Sequence, residues 1–174
     1  GIDTVVAGSD PSDDPGFFLR AGAAAVAFGE GEFAVADWLS RPPALGEALP
    51  GIATLAPDGS TLKGPARAPV RDVVSIPSPA WNLIDIEAYR RVWVRKGHDF
   101  SLPLATSRGC PFHCNWCAKP IWGQRYTARS PESVFAELRW HQREHGAEHV
   151  WFADDILGLK PGWLAHFADL VATS

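Results

Sequence analysis

Methionine is absent from this 174-residue chain, and its three cysteines all lie between residues 110 and 117. A small, odd-numbered cluster of cysteines, with no signal-peptide pattern in the N-terminal residues, argues against a disulfide framework. Such a cluster is typical of a metal or redox site in a reducing compartment, so we expect a cytoplasmic protein. The missing initiator methionine leads us to expect an internal part of a longer protein.

Long apolar runs and an excess of basic residues are also absent. A membrane-spanning helix needs about 18 or more consecutive apolar residues, and the nearest candidate, residues 23–28, is far shorter. Sixteen Lys and Arg residues against twenty Asp and Glu residues give a formal net charge of -4, so no general basic field attracts nucleic acid. We therefore expect no membrane span and no nucleic-acid partner.

Two strand-loop-helix patterns occupy the first forty residues. Short apolar runs at residues 3–7 and 24–28 predict buried strands, and a helical pattern follows the first run at residues 13–21. Near-continuous apolar strands are typical of a parallel sheet, so the pattern predicts an α/β fold. Ligands bind such sheets at the carboxyl ends of the strands, where the segments Gly8-Ser-Asp-Pro11 and Gly29-Glu-Gly-Glu32 lie.

The composition changes in the middle of the chain. More than half of the prolines lie between residues 41 and 80. Pro57-Asp-Gly59 predicts a hairpin turn between the apolar runs at residues 52–55 and 61–63. Each residue before a proline is pushed out of the α region, so the remainder of this segment is expected to be extended. We interpret residues 48–99 as a hairpin followed by a proline-rich linker.

The strand-helix rhythm returns after residue 100. An apolar strand at residues 102–106 leads into the cysteines. Ser130 is a good helix N-cap and Gly146 a helix stop, so a helix is predicted between them. A second apolar strand at residues 149–153 ends in two adjacent aspartates, and an amphipathic helix follows at residues 161–172. This β-α-β-α order is typical of the start of a larger parallel α/β structure.

The cysteines carry the most specific chemistry of the sequence. Cys110, Cys114 and Cys117 are separated by three and then two residues, so one loop supplies three thiolates. Thiolates are soft ligands that suit zinc, copper(I) or an iron-sulfur cluster. A structural zinc ion needs four protein ligands. A cubane cluster held by three cysteines keeps one iron open for a substrate or cofactor, so the set suits catalysis better than structure.

Residues 107–119 read Ser-Arg-Gly-Cys-Pro-Phe-His-Cys-Asn-Trp-Cys-Ala-Lys. This segment resembles the signature of the radical S-adenosylmethionine (SAM) superfamily, which has the same cysteine spacing and an aromatic residue directly before the last cysteine, here Trp116. The resemblance implies that the three cysteines bind a 4Fe-4S cluster and that SAM chelates the fourth iron. It further implies reductive cleavage of SAM to methionine and a 5'-deoxyadenosyl radical.

The same resemblance implies residues that contact SAM at the carboxyl ends of the strands of a partial (β/α) barrel. Trp116 is expected near the adenine. Asp154 or Asp155, at the place where many members carry a Gly-Gly-Glu-like element, is expected to hold the SAM amino group. Acidic pairs at this place are similar to those of the cobalamin-dependent subgroup. Arg108 and Lys119 are candidates for tuning the cluster potential or binding the SAM carboxylate.

The N-terminal half carries a second resemblance. Its two glycine-rich segments, the hairpin and the segment Ile76-Pro-Ser-Pro-Ala-Trp81 with Asp85 and Tyr89 look like the distal half of a cobalamin-binding domain joined to a radical SAM core. Five residues are thereby implied to lie next to cobalamin: Gly8, Ser9, Gly29, Glu30 and Gly31.

The two resemblances together give the predicted domain organisation. We expect the distal part of a Rossmann-like cobalamin-binding α/β domain at residues 1–47. The hairpin and linker follow at residues 48–99, and the first β/α units of a radical SAM partial barrel occupy residues 100–174.

The implied function is that of a cobalamin-dependent radical SAM enzyme. Reactions of this group include methyl transfer to unreactive carbon or phosphorus, and oxidative ring formation of the anaerobic magnesium-protoporphyrin ester cyclase type. Such an enzyme acts on a small-molecule substrate and takes electrons from a reductant such as a flavodoxin or ferredoxin. Whether this part of the protein is active alone is left open.

Two alternatives remain at this point. The first is a radical SAM enzyme whose α/β appendage does not bind cobalamin. The second is a zinc-stabilised, non-enzymatic module that completes its ligand set with His113, or with His141 and His145. Those last two histidines are four residues apart and share one helix face, but a spacing of 23 residues from Cys117 to His141 exceeds that of an ordinary zinc finger.

Overall fold

A computed structural model of the chain describes residues 2–44, 46–117 and 124–174. The described residues form two compact units: one lies within Gly1–Arg71 and Cys110–Arg125, the other within Asp72–Gly109 and Tyr126–Ser174. Each unit combines helices with parallel strand pairing, in agreement with the predicted α/β class.

Within the described residues, the first unit contains four strands and three helices: β1 (Val5–Ala7), α1 (Ser9–Asp13), α2 (Pro15–Arg20), β2 (Ala25–Ala27), α3 (Gly31–Ser40), β3 (Ile52–Leu55) and β4 (Thr61–Lys63). The strands form one sheet in the order β1-β2-β3-β4. Strands β1 and β2 are parallel, as predicted, whereas β3 is antiparallel to both β2 and β4. The predicted hairpin is confirmed, and through β3 it extends the sheet.

Strand β2 is buried on both of its faces. On one face Ala25 and Ala27 pack against Ala34 and Trp38 of α3. On the other face Val26 packs against Leu19 of α2. Successive side chains of a strand point to opposite faces, so a strand covered by helices on both sides has to be apolar throughout, and this explains the continuous apolar run in the sequence.

The start of the first helical region differs from the expectation. Residues 13–21 were predicted as one helix after a turn, but α1 already begins at Ser9 and a separate helix α2 begins at Pro15. The break falls at Asp14, whose backbone is non-helical (φ -126°, ψ 75°) and whose side chain accepts a hydrogen bond from the amide of Phe17. The residue before a proline avoids the α region, so Asp14 ends one helix and caps the next.

The second unit, in the part that the structure describes, contains two short sheets and three helices. Its elements are α4 (Ile86–Arg95), β5 (Ser101–Leu104), β6 (Ser107–Arg108), β7 (Thr127–Ala128), α5 (Pro131–His145), β8 (His149–Phe152) and α6 (Trp163–Ala172), with short 3-10 turns at Val73–Ser75 and Trp81–Leu83. Strands β5 and β8 are parallel, and β6 and β7 form an antiparallel pair. The predicted β-α-β-α order is confirmed for the described residues.

Helix α5 has the ends that the sequence predicts. The Ser130 hydroxyl accepts a hydrogen bond from the amide of Ser133 at 3.2 Å, and Gly146 ends the helix with a left-handed backbone (φ 54°). The inner face of α5 contributes Val134 to a core with Leu104 of β5 and Trp163 of α6. This packing holds the strand that precedes the cysteine loop.

Helix α4 lies within the segment predicted to be a linker. Its N-cap is Asp85, whose side chain accepts a hydrogen bond from the amide of Ala88 at 2.9 Å. The helix is strongly amphipathic but has no fully buried residue, and the preceding prolines outweighed this signal in the sequence. The predicted domain boundaries at residues 47 and 99 stay a prediction. None of the helices in the described ranges is long and apolar enough to span a membrane.

Candidate functional site

The loop that carries the cysteines is closed at its base by a strand pair. Ser107 pairs with Ala128, and Arg108 with Thr127, so β6 and β7 hold together the two ends of residues 109–126. Gly109 begins the loop with a positive φ of 80°, a conformation that L side chains rarely adopt. The cysteines, where the sequence predicts a metal site, therefore follow closely after a strand that is held by pairing with β7.

All three cysteines are free thiols. Cys110 is half-buried, Cys114 and Cys117 are exposed, and the amide of Cys117 donates a hydrogen bond to the Cys114 carbonyl at 3.2 Å. Among the described residues, no group of three or more His, Cys, Asp and Glu side chains is gathered in a geometry that would hold a metal ion. The fit to an iron-sulfur cluster therefore rests on the donor set, three unpaired thiols within eight residues of one anchored loop.

Other predicted residues of this loop have different surroundings. Trp116 is 87% exposed, so its ring is not used in the core. His113, one of the alternative zinc ligands, is also exposed. Lys119 lies outside the described residues.

The two histidines of the zinc alternative belong to an aromatic cluster. His141 is fully buried, with its ring centroid 4.9 Å from that of Trp81 and 5.2 Å from that of Trp140. The His145 ring lies 4.6 Å from Trp140. These contacts give both histidines a packing role, as is usual for histidines on an apolar helix face.

The end of strand β8 is joined to the end of strand β5. Asp154 accepts hydrogen bonds from the amide and the hydroxyl of Thr106, at 3.1 and 2.8 Å, and from the Ser107 hydroxyl at 2.5 Å. Both donors are buried, with 1% and 5% exposure. Asp155 is exposed. The two adjacent aspartates therefore have different environments, although the sequence offers both equally as candidates for binding the SAM amino group.

Arg129, Glu137 and Trp163, which the sequence does not predict as site residues, stabilise the chain after β7. Arg129 donates to the Ala105 carbonyl at 3.0 Å and forms an ion pair with Glu137 at 2.5 Å. The indole of Trp163 donates to the Arg129 carbonyl at 2.6 Å. Burial on its own raises the pKa of the Glu137 carboxyl, but the adjacent His141 ring and Arg129 guanidinium lower it more, so its pKa lies below the ordinary value.

The glycine-rich loops of the first unit meet at one edge of its sheet. The hydroxyl of Ser12 donates to the Gly8 carbonyl at 2.6 Å and lies 3.3 Å from the Gly29 amide, from which it accepts. Gly8 and Gly29 both have positive φ values, 129° and 70°. The structure thus brings together the two loops that the sequence predicts to bind a ligand, through a serine that the sequence analysis did not single out.

The remaining residues predicted in these loops are at helix starts. Ser9 is the exposed first residue of α1, and Gly31 is the first residue of α3. Glu30 precedes α3, and its carboxylate accepts a hydrogen bond from the amide of Val70 at 2.6 Å. Glu30 therefore also ties the loop to the segment that follows the hairpin, a contact between residues forty positions apart.

Comparison with known proteins gives sequence relatives that are named as methyltransferases or as a cyclase. No family model matches the sequence. The chain is 33% identical over 142 residues to an uncharacterized methyltransferase of Pyrococcus horikoshii, an alignment that covers 78% of this chain and 29% of that protein. It is 30% identical over 105 residues to the anaerobic magnesium-protoporphyrin IX monomethyl ester cyclase of Rubrivivax gelatinosus, covering 60% of this chain and 18% of the cyclase.

Solved structures show the same fold over nearly the whole chain. The cobalamin-dependent S-adenosylmethionine radical enzyme OxsB, solved with aqua-cobalamin and S-adenosylmethionine bound, matches with a TM-score of 0.71 and 19% identity, covering 98% of this chain and 24% of OxsB. The radical S-adenosylmethionine methyltransferase TsrM of Kitasatospora setae, solved with cobalamin and a [4Fe-4S] cluster, matches with a TM-score of 0.63 and 22% identity, covering 97% of this chain and 33% of TsrM.

These matches confirm the predicted resemblance. The fold of the chain is the fold found in cobalamin-dependent radical SAM enzymes, and its sequence is similar to a methyltransferase and to the anaerobic cyclase. The chain spans less than a third of the length of these two curated relatives.

Proposed function

We propose that this chain is the cofactor-binding part of a radical SAM enzyme that uses cobalamin. The observation that carries the proposal is the anchored loop with Cys110, Cys114 and Cys117, which follows the first of two parallel strands in a fold shared with enzymes of this kind. The three thiolates would hold a 4Fe-4S cluster and leave one iron without a protein ligand. When bound, such a cluster supplies the electron for the reductive cleavage of SAM.

In this proposal, residues of the chain bind the cluster and contact two groups of SAM, its adenine and its amino group. The cysteine thiolates bind three irons, and the exposed Trp116 offers an aromatic face on which the SAM adenine can stack. At the end of β8, a carboxylate accepts hydrogen bonds from the SAM amino group, for which Asp154 and Asp155 are the candidates. The protein positions and orients these cofactors, and the cofactors themselves supply the radical chemistry.

The loops of the first unit are proposed to bind cobalamin. Gly8, Ser9, Gly29, Glu30 and Gly31 lie on loops or helix starts that follow the parallel strands β1 and β2, at the edge where ligands bind in such sheets. Glycines without side chains at this edge allow the corrin to approach the backbone. The match to OxsB and TsrM, both solved with cobalamin, supports this assignment.

The reaction of the whole protein is proposed to be methyl transfer or oxidative cyclisation on a small molecule. The methyltransferase relative favours the first and the cyclase relative the second. Either reaction needs an electron donor, for which we propose a flavodoxin or ferredoxin in the cytoplasm. The chain is proposed to be part of a longer enzyme, because it covers under a third of these relatives.

Metal analysis of matched variants tests the cluster. After anaerobic reconstitution with iron and sulfide, the chain is expected to hold about four irons and about four sulfides. Cys114→Ser is expected to lose most of this iron, whereas the neighbouring His113→Ala keeps it. Bound zinc that is lost in both variants would contradict the proposal, because it would assign a zinc site with three cysteines and one histidine.

A further inference from the structure

We infer that Asp154 is a positioning residue for the cysteine loop and that its carboxylate is not the group that holds SAM. This inference rests on the proposed function, which left the choice between the two adjacent aspartates open. It separates their roles by what each side chain touches.

The Oδ1 atom of Asp154 is engaged by hydrogen bonds within the protein. Its Oδ1 atom accepts from the Thr106 amide at 3.1 Å, the Thr106 hydroxyl at 2.8 Å and the Ser107 hydroxyl at 2.5 Å. Its Oδ2 atom lies 3.2 Å from the same Thr106 amide. One carboxylate thus receives hydrogen bonds from three different donors, all on two consecutive residues of the neighbouring chain segment.

Burial makes these hydrogen bonds necessary. Thr106 and Ser107 are 1% and 5% exposed, and a buried donor that loses its partner keeps the cost of leaving water. The single hydroxyl proton of Ser107 has an alternative acceptor, the more distant Ile156 carbonyl at 3.2 Å, which also lies just after β8. The hydroxyls of Thr106 and Ser107 therefore find their hydrogen-bond acceptors in residues 154–156.

The position of Ser107 connects this network to the cysteines. Ser107 begins β6 and pairs with Ala128, and Cys110 follows three residues later. A carboxylate that holds Thr106 and Ser107 therefore holds the start of β6, the strand that precedes the first cysteine in the sequence. This is the role of a supporting residue, which orients the ligands without touching the metal.

Asp155 has the opposite character. It is exposed, and within the described residues it makes no hydrogen bond and no ion pair. Its carboxylate retains the free acceptors that an ammonium group requires. In the described part of the chain, Asp155 therefore has both carboxylate oxygens free for a ligand, whereas the Oδ1 atom of Asp154 already accepts three hydrogen bonds inside the protein.

Two charge-neutralising variants of the full chain separate these roles. Asp154→Asn is expected to lower the Tm of the metal-free chain by about 5 °C and to reduce the iron incorporated per folded molecule at least about twofold. Asp155→Asn is the matched control, and it is expected to change neither quantity but to weaken the SAM-induced shift of the cluster's electron paramagnetic resonance (EPR) signal.

The conservative and paired variants test the mechanism. Thr106→Ser keeps the hydroxyl and is expected to bind iron normally, whereas Thr106→Val lacks the hydroxyl and is expected to bind less iron. Ser107→Ala is expected to lose less stability in the Asp154→Asn background than in the unmodified chain, because the shared contact is already gone. If Asp154→Asn does not fold, iron incorporation by Ser107→Ala carries the test.

Three results would overturn the inference. Asp154→Asn could keep normal stability and iron while losing the SAM-induced shift, which would assign the SAM contact to Asp154. It could be less stable yet bind iron fully in the folded fraction, which would limit Asp154 to stability alone. If the stability losses of Asp154→Asn and Ser107→Ala simply add up in the metal-free double variant, the two side chains are not coupled and the inferred contact does not contribute. A chain that binds no cluster at all would refute the proposed function, and the metal-free measurements would still test the coupling.

Discussion

The hydroxyl of Ser12 lies 3.3 Å from the amide of Gly29, seventeen residues away. It also donates to the Gly8 carbonyl, so one small side chain joins the loops that follow the two parallel strands. These loops are the ones proposed to bind cobalamin.

Removal of the Ser12 hydroxyl is the first prediction. Ser12→Ala is expected to reduce the free energy of unfolding by about 1 kcal/mol, since a partly buried amide loses its acceptor. Ser40→Ala is a matched control, because the Ser40 hydroxyl also donates to a carbonyl four residues back, at 2.8 Å, but is exposed and makes no second hydrogen bond within the described residues. Its effect is expected to stay below about 0.5 kcal/mol. Equal effects in urea unfolding would show that the Gly29 contact contributes nothing.

A pair of glycine variants tests the proposed corrin edge. Gly29 and Gly59 have similar positive φ values, 70° and 81°, and an added Cβ meets no atom within 4 Å at either place. Alanine is therefore expected to strain both backbones equally, by about 1 kcal/mol. Only Gly29→Ala is expected to weaken hydroxocobalamin binding, at least about tenfold, because Gly59 lies in the hairpin turn. Equal affinities in absorbance titrations would argue against cobalamin at this loop.

The ion pair of Arg129 and Glu137 gives a pH-dependent prediction. The pKa of Glu137 is lower in the folded chain than its ordinary value of 4.5. Its contribution to stability is therefore complete above pH 4.5 and fades as the pH falls through the folded-state pKa. Glu137→Gln is expected to lose about 1 to 3 kcal/mol at pH 7 and progressively less in acid.

An exposed ion pair is the control for this measurement. Arg41 and Glu47 lie 2.7 Å apart, but their side chains are 67% and 35% exposed. Glu47→Gln is expected to have a smaller effect at pH 7, because water screens exposed pairs. A stability difference for Glu137→Gln that is constant from pH 7 to pH 3 would contradict the assignment.

Trp163 couples the core of the second unit to the residue that follows β7. It is 4% exposed and donates to the Arg129 carbonyl. Trp163→Phe is expected to cost about 1 to 3 kcal/mol through the unpaired carbonyl and the lost volume. Trp151→Phe changes a side chain that is 66% exposed, so its effect on urea unfolding is expected to stay within about 0.5 kcal/mol. Similar values for the two variants would contradict this account.

The elements predicted correctly from the sequence are those fixed by local signals. Ser130 and Gly146 bound α5 through their own backbone and side-chain geometry, and Pro57-Asp-Gly59 sets the hairpin turn. Helix α4 was missed because its cap at Asp85 follows a run of prolines, whose extended preference dominated the interpretation. In this segment the helix cap favours a helix and the prolines favour an extended chain, and the sequence alone does not show where one ends and the other begins.

The cysteines could be identified from the sequence because one short loop contains the whole donor set. The roles of Ser12, Arg129 and Asp154 depend on contacts between residues 17 to 48 positions apart. The pattern at residues 154–155 showed two equivalent carboxylates, and only the pairing of β5 with β8 distinguishes them. Ligands that lie together in one short loop can be predicted from the sequence. The hydrogen bonds that hold the flanking strands join distant residues, and only the folded structure shows them.

EPR spectroscopy of the anaerobically reconstituted, dithionite-reduced chain, recorded with and without SAM, tests the central claim most directly. The account predicts a reduced 4Fe-4S signal that shifts when SAM is added, because SAM takes the iron that the three cysteines leave open. Tightly bound zinc with no cluster signal, and loss of the fold on chelation, would contradict it.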